Sequence, residues 1–132
     1  MTTGIAVDGS CPGNPGPIEF RGIDLSTGEV VFERGPIDGG TNNVAEFLAI
    51  VLALAHLKKN NDFGTPVYTD SQTAMAWVRR RKAKITSPIS TEVREMVTKA
   101  ETWLKQHNPP NIILKWNTQT KGEIAADYGR KR

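Results

Sequence analysis

The sequence predicts an α/β fold in which helices flank a five-stranded mixed sheet, with three antiparallel strands followed by two parallel ones. Two observations support this prediction. Three short segments rich in β-branched residues come first and are joined by tight turns, which favours an antiparallel meander. Helices and strands then alternate, which is typical of a sheet covered by helices. The 132 residues suffice for one hydrophobic core, so we expect a single domain over residues 1–132.

The amino-terminal third contains the meander. Its predicted strands are Gly4–Asp8, Ile18–Leu25 and Glu29–Ile37. Glycine and proline recur in Cys11–Pro17, which indicates a turn between the first two strands. Ser26–Gly28 indicates a tight turn between the second and third strands. A glycine-rich loop is expected at Asp38–Thr41.

The rest of the chain alternates helices with two further strands. The first helix is predicted from a cap at Asn43 to Leu57, with Glu46 at capping-box spacing. Because apolar residues lie on nearly all of its faces, we expect this helix to be buried. The later predicted elements are a strand at Pro66–Thr69, a helix capped by Ser71 and ending near Arg81, an amphipathic helix marked by Ile89, Val93 and Leu104 and stopped by Pro109, a strand at Ile112–Trp116, and a short helix from about Gly122.

Composition and charge favour a globular protein with a polyanionic partner. The net charge is +3 and the isoelectric point is about 9.2, a balance compatible with nucleic acid. The cluster Arg79–Lys84 is either a binding surface or a solvated helix end. No apolar run is long enough to span a bilayer, and no secretory signal is visible. With Cys11 as the only cysteine, no internal disulfide can form, and we expect a cytoplasmic protein.

Acidic residues are the candidates for chemistry. Asp8 and Asp70 stand at the carboxyl ends of predicted strands, where sites collect in such sheets. Glu46 is the only charged residue within a long apolar helix. Asp127 lies on the last predicted helix, and Glu123 lies one turn earlier on the same face. Each has a plain interpretation as a cap, a turn residue or a surface acid.

Together, these acids favour a metal site. Bringing carboxylates together in a protein interior costs several kcal/mol unless a cation compensates. Oxygen donors without a Cys or His set favour Mg²⁺ or Mn²⁺ over Zn²⁺, and we interpret His56 and His107 as structural. Paired divalent ions suit phosphodiester hydrolysis, which then needs no protein nucleophile.

Four motifs in order give the chain a family resemblance. They are DGSCPGNPG from Asp8, TNNVAEFLAIVLAL from Thr41, YTDSQTA from Tyr68 and KWNTQTKGEIAADYGRK from Lys115. Over nearly the whole chain they resemble type 1 ribonuclease H, and the last motif is most similar to bacterial catalytic domains related to the Bacillus enzyme. The resemblance implies a monomeric endonuclease that hydrolyses the RNA strand of RNA–DNA hybrids with two Mg²⁺ ions, which Mn²⁺ can replace. The expected ends are a 5′-phosphate and a 3′-hydroxyl.

The resemblance also implies a role for each acid. Asp8 would bridge both ions, and Asp127 would join it on the ion that activates water. Glu46 and Asp70 would hold the ion near the leaving group. Glu123 would assist metal exchange or product release.

Substrate contacts are implied in the same way. The residues expected to touch the minor groove of the hybrid are Asn14, Asn42 and Gln72. Those expected to form a pocket for a phosphate of the DNA strand are Thr41, Asn43 and Thr86. Trp77 has two open interpretations, as part of the DNA channel or as a core residue.

The chain departs from the family pattern in two places. Arg79–Lys84 passes almost directly to Thr86, so the basic, tryptophan-containing helical insert of many members is absent. The loop Asn117–Gly122 contains no histidine, which argues against a histidine-assisted release step. Open alternatives are DNA strand transfer or junction cutting, a polymerase-linked domain, and a non-catalytic hybrid-binding module. The TNNxxE and TDSQ motifs favour hybrid hydrolysis.

Overall fold

The computed structural model of the chain describes residues 3–117, 122 and 124–126. Its elements are β1 (Ile5–Ser10), β2 (Gly16–Asp24), β3 (Val30–Gly40), α1 (Asn42–Lys59), β4 (Val67–Thr69), α2 (Gln72–Arg80), α3 (Thr91–His107) and β5 (Ile113–Lys115). The strands form one sheet in the order β3-β2-β1-β4-β5. β1, β2 and β3 pair antiparallel, whereas β4 and β5 join in parallel. The predicted fold class is therefore confirmed.

The meander is longer than the sequence patterns predicted. β1 continues two residues beyond Asp8, and β2 begins at Gly16, inside the predicted turn. β3 extends to Gly40, so the loop predicted at residues 38–41 is wrong. The reason is that Gly16 pairs with Gly40, which carries the ladder through residues whose own propensity is for a loop.

The cap of α1 differs from the predicted one. Thr41 is the N-cap, and its hydroxyl accepts a hydrogen bond from the Val44 N–H at 3.3 Å. Asn43 lies inside the first helical turn instead. Because β3 runs to Gly40, the chain is still extended at Thr41, and the helix begins immediately afterwards.

The other two helices have side-chain caps of the same kind. Ser71 caps α2 as predicted, and its hydroxyl accepts from the backbone N–H three residues on at 3.0 Å. Ser90 caps α3, so Ile89 precedes that helix. Asn108 is the C-cap of α3 and adopts a left-handed conformation just before Pro109. The short helix predicted from Gly122 falls largely outside the described residues.

The main core lies between one face of the sheet and α1. Ile5 and Val7 of β1 face this helix, which is buried on most sides as predicted. A smaller cluster of Ala6, Trp116 and Ile124 lies on the opposite sheet face, so β1 is covered on both sides. Within the described ranges, no helix is long and apolar enough to cross a membrane.

α1 crosses β1 at Gly9. A Cβ placed on Gly9 would lie 2.6 Å from the Ala45 Cβ and 2.8 Å from the Glu46 backbone nitrogen. The helix backbone therefore packs directly against the strand. This contact places the first turns of α1 beside the carboxyl-terminal half of β1.

The crossing at Gly9 gives a prediction for stability. We expect Gly9→Ala to lower the free energy of unfolding by about 1–3 kcal/mol, because the added methyl group must push α1 away from β1. Gly64→Ala is the matched control, since a Cβ there meets nothing within 4 Å. Urea denaturation of both variants measures the effect, and equal stability of the two would contradict the close crossing.

Asp62 organises the loop between α1 and β4. Its carboxylate accepts hydrogen bonds from the Gly64 and Thr65 backbone N–H groups and from the Thr65 hydroxyl. These bonds lower the pKa of Asp62, and the bond from the Thr65 hydroxyl has the largest effect. The Asn111 amide donates to the backbone carbonyls of Asp62 and Thr65, which ties the loop to the start of β5.

The lowered pKa of Asp62 predicts a pH-dependent contribution to stability. The folded-state pKa of Asp62 lies below its unfolded-state pKa. Its contribution to the free energy of unfolding is therefore complete above the ordinary Asp value of about 3.9. It is lost as pH falls through the folded-state value. We expect Asp62→Asn to destabilise the protein at pH 7, and the difference from the wild type to shrink in acid. Denaturation at pH 7 and near pH 3 measures this, and an equal loss at both would argue against it.

Candidate metal centre

Asp8, Glu46 and Asp70 converge at one place. Each offers one carboxylate oxygen, and these oxygens all lie within 4.8 Å of one another. Asp8 is 0% exposed and Glu46 is 1% exposed, whereas Asp70 is partly exposed. Among these three residues, only Asp70 is appreciably accessible to solvent.

The parallel pairing of β1 with β4 determines where Asp8 and Asp70 lie relative to each other. Its last paired residues are Ala6 and Tyr68, and Asp8 and Asp70 each follow two positions later. The prediction that Asp8 lies at the end of β1 is wrong. The strand continues to Ser10, because it stays paired with β2 up to that residue. Asp8 therefore lies in the middle of a strand, at the point where the pairing with β4 has ended.

Glu46 reaches the group from α1. With Thr41 as the cap, the third helical position is Val44, so Glu46 lies too far along the helix to complete a capping box. Its burial comes from the crossing at Gly9, where its backbone packs on β1. The capping interpretation of Glu46 is therefore wrong.

The chemistry of this donor set fits a hard divalent cation. Carboxylates this close repel one another in a buried setting unless positive charge compensates. Oxygen-only ligands suit Mg²⁺ and Mn²⁺. The histidines interact elsewhere: His56 Nε2 lies 3.3 Å from the Asn60 side-chain nitrogen, and the His107 ring centroid lies 4.8 Å from that of Trp103.

Asp127 and Glu123 lie outside the described residues, but part of the segment that leads to them is described. The Trp116 indole N–H donates to the Gly122 carbonyl at 2.9 Å. Ile124 then packs into the smaller core cluster. Ile124 therefore lies on the sheet face opposite α1, and Gly122 is bonded to Trp116 of the same cluster.

Arg21 makes a further attachment that sequence analysis missed. Its Nε donates to the Ala126 carbonyl at 2.8 Å, and its guanidinium lies 3.8 Å from Glu33. Arg21 is also the cross-strand partner of Asp8. The sequence signal for Arg21 was weak, because the same strand also contains Glu19 and Asp24. The residue that directly precedes Asp127 in the chain is thus held beside the strand position of Asp8.

A polar cavity of about 70 Å³ is lined by five of the predicted substrate residues. Its lining residues are Asn14, Thr41, Asn43, Trp77, Lys84, Ile85, Thr86 and Ser87. The predicted phosphate-pocket residues Thr41, Asn43 and Thr86 are therefore brought together. Lys84 of the basic cluster adds a positive charge to them.

Four further residues were predicted to contact the substrate, namely Asn14, Asn42, Gln72 and Trp77. The Asn14 side-chain oxygen accepts from the Asn42 backbone N–H at 2.8 Å, which ties the first turn to the start of α1. Gln72 is exposed at the first position of α2. Trp77 is a core residue that packs edge-on against Phe47, and it also lines the cavity.

Cys11 is buried near the first turn. Its thiol donates to the Gly40 carbonyl at 3.5 Å. Burial raises the pKa of the Cys11 thiol, and a hydrogen bond from the Gly16 backbone opposes this shift. The thiolate that a nucleophile requires is therefore disfavoured here.

The sequence matches known proteins over most of its length. The family model for RNase H matches residues 2–124. The ribonuclease H of Chromobacterium violaceum is 35% identical over 133 aligned positions, which cover 96% of this chain and 86% of that protein. The ribonuclease H of Pseudomonas fluorescens is 31% identical and covers 85% of this chain and 76% of its own length.

Solved structures share the fold. A type 1 ribonuclease H in complex with an RNA/DNA hybrid aligns with a TM-score of 0.58 and 24% identity, over 90% of this chain and 88% of that one. The enzyme from Halobacterium salinarum aligns with a TM-score of 0.55 and 23% identity, over 92% and 90%. Since the family model covers almost the whole sequence and the Chromobacterium relative is similar along its length, the chain belongs to the ribonuclease H family, hydrolases that act on RNA.

Proposed function

We propose that this enzyme is an endonuclease that hydrolyses the RNA strand of RNA–DNA hybrids by two-metal-ion catalysis and leaves 5′-phosphate and 3′-hydroxyl ends. The observation that carries the proposal is the convergence of Asp8, Glu46 and Asp70, from three different elements, within 4.8 Å. The hybrid substrate is supported by the solved relative that is in complex with one.

In the proposed centre, Asp8, Glu46 and Asp70 hold Mg²⁺, which Mn²⁺ can replace. When bound, the paired ions would supply the Lewis acidity that phosphodiester hydrolysis needs at the attacking and leaving oxygens. The part of the protein is to fix the carboxylates in advance. Asp8 sits in a strand that is paired with β2 at this position, and Glu46 sits in a buried helix, so neither needs to move far for binding.

Asp127 completes the proposed set, and Glu123 assists metal exchange or product release. The support for Asp127 comes from its neighbour, because Arg21 holds the Ala126 carbonyl beside the strand position opposite Asp8. Glu123 is assigned from the family motif alone.

The polar cavity is proposed to take a phosphate of the DNA strand. Thr41, Asn43 and Thr86 offer polar groups, and Lys84 offers a cation. The cavity lies at the start of α1, where the positive end of the helix dipole favours an anion. The first turn of α1 contains no acidic residue that would oppose this. Contacts of this kind position a nucleic acid without reading its sequence.

The minor groove of the hybrid is proposed to lie against Asn14, Asn42 and Gln72, with Trp77 at the edge of the phosphate cavity. Amide side chains can both donate to and accept from a ribose 2′-hydroxyl, the group that distinguishes RNA from DNA. Asn14 and Gln72 are exposed and Asn42 is partly exposed, so a substrate can reach them. This arrangement predicts little base preference.

A cleavage assay tests the proposed activity. In Mg²⁺, we expect cutting of the RNA strand of a labelled hybrid, and none of single-stranded RNA, duplex RNA or duplex DNA. Asp70→Asn should lower the rate by at least about a hundredfold, more than the loss of an outer-shell partner. Asp38→Asn is the matched control, since Asp38 is exposed on β3. Extension of the RNA products by a polymerase checks for 3′-hydroxyl ends.

Two outcomes of this assay would redirect the proposal. Binding of the hybrid without cutting would favour a non-catalytic module. Cutting of duplex DNA would leave the metal centre standing, but it would overturn the contacts to the 2′-hydroxyl assigned to Asn14 and Gln72.

Cation binding gives a test that does not depend on activity. A cation that binds the folded state stabilises it by about 1.4 kcal/mol at ten times its Kd. We therefore expect Mn²⁺ or Mg²⁺ to raise the Tm of the wild type and of Asp38→Asn, and chelation to reverse the rise. In Asp8→Asn the rise should disappear, together with the heat of Mn²⁺ binding in calorimetry. An unchanged Mn²⁺ response in Asp8→Asn would place the cation elsewhere.

A further inference from the structure

Glu101 is a buried carboxylate away from the metal centre. It lies on α3 among the buried residues Val97, Ala100 and Leu104, and its side chain is only 11% exposed. A carboxylate in apolar surroundings is costly unless specific partners compensate it. The groups that contact the Glu101 carboxylate therefore indicate what this residue does.

The partners of Glu101 lie on the connector between α2 and α3, which spans residues 81–90. The Ala83 backbone N–H donates to Glu101 Oε2 at 2.8 Å. Lys82 Nζ lies 3.8 Å from Oε1, but its side chain is 70% exposed, so solvent weakens this pair. The charge-assisted bond to the backbone is the specific contact.

The rest of the connector is held at its ends. Arg81 adopts a left-handed conformation that turns the chain out of α2, and the Lys82 N–H donates to the Trp77 carbonyl at 3.0 Å. At the far end, the Ser90 N–H donates to the Gly39 carbonyl at 2.8 Å. Between these points the connector has no regular secondary structure.

The residues that follow Ala83 line the polar cavity. Lys84 comes next, and Thr86 follows two positions later. Because Ala83 is buried and bonded to Glu101, it is the last point of the connector fixed from the core before the cavity begins. The position of Lys84 and Thr86 therefore depends on Glu101.

We propose that Glu101 is a positioning residue for substrate binding, which sets Lys84 and Thr86 in the cavity by accepting the Ala83 backbone N–H. The inference rests on the proposed function, because the cavity is assigned there to a phosphate of the nucleic acid. The competing explanation is that Glu101 stabilises only the packing of α3.

Three variants of Glu101 separate the hydrogen bond from the charge. Glu101→Gln keeps an acceptor for the Ala83 N–H and removes the charge. Glu101→Met removes the acceptor at similar volume. Glu101→Asp keeps the charge but is one methylene too short to hold Ala83 at the same place. Glu95→Met is the control, since Glu95 is exposed on the same helix.

The test is the steady-state kinetics of hybrid cleavage. We expect Glu101→Met and Glu101→Asp to raise KM about tenfold with kcat nearly unchanged, the pattern of lost uniform binding. Glu101→Gln and Glu95→Met should stay within about threefold of the wild type. If Glu101→Met does not fold, Glu101→Asp carries the test. An unchanged KM in folded Glu101→Asp, or an equal rise in Glu101→Gln, would overturn the proposal.

A comparison of combined variants separates positioning from general stability. If Glu101 acts through the cavity, Glu101→Asp should add little to the KM of a protein that already contains Lys84→Met and Thr86→Val. Independent, multiplicative effects on KM would mean that Glu101 acts on binding by a route other than Lys84 and Thr86, which would overturn the proposal. Failure of the proposed function is recognised separately, because the wild type would then cut no hybrid. Fluorescence anisotropy of hybrid binding would in that case apply the same comparison to Kd.

Discussion

The crossing of α1 over β1 is the contact on which the rest of the structure depends. At Gly9 there is no side chain, so the helix backbone lies directly on the strand. This places Glu46 beside Asp8, and the parallel pairing of β4 with β1 then brings in Asp70. The two apolar clusters around β1 hold this arrangement rigid. The free energy of core packing thus keeps the three carboxyl groups close, so a cation that bound them would meet ligands already in place.

Charged residues also fix the irregular parts of the chain near this centre. Arg21 binds the backbone carbonyl of Ala126, and Glu101 binds the backbone N–H of Ala83. Each therefore positions main chain that lacks its own ladder of hydrogen bonds. The segment after Ala83 lines the cavity, and the segment after Ala126 begins with Asp127. Both bonds therefore connect irregular main chain to the ordered sheet and helices.

The sequence by itself determined the order of the elements and the candidate acids. Patterns of apolar and β-branched residues are local. They therefore indicated the meander and the buried helix without any knowledge of the elements that pack against them. Ser71 was recognisable as a cap for the same reason, since a cap acts within one turn. Asp8, Glu46 and Asp70 were recognisable because each stood in an otherwise apolar or strand-ending context, and the family motifs around them supported that choice.

The tertiary structure alone decided where elements end and which charged residues act as anchors. Strand β3 runs to Gly40 because β2 pairs with it, and this moved the cap of α1 from Asn43 to Thr41. The partners of Arg21 and Glu101 lie far away in the chain. Pairing and burial depend on such distant neighbours, whereas a sequence pattern reports only on the near ones. The convergence of the three carboxylates was likewise a product of packing, because their elements meet only in the folded sheet.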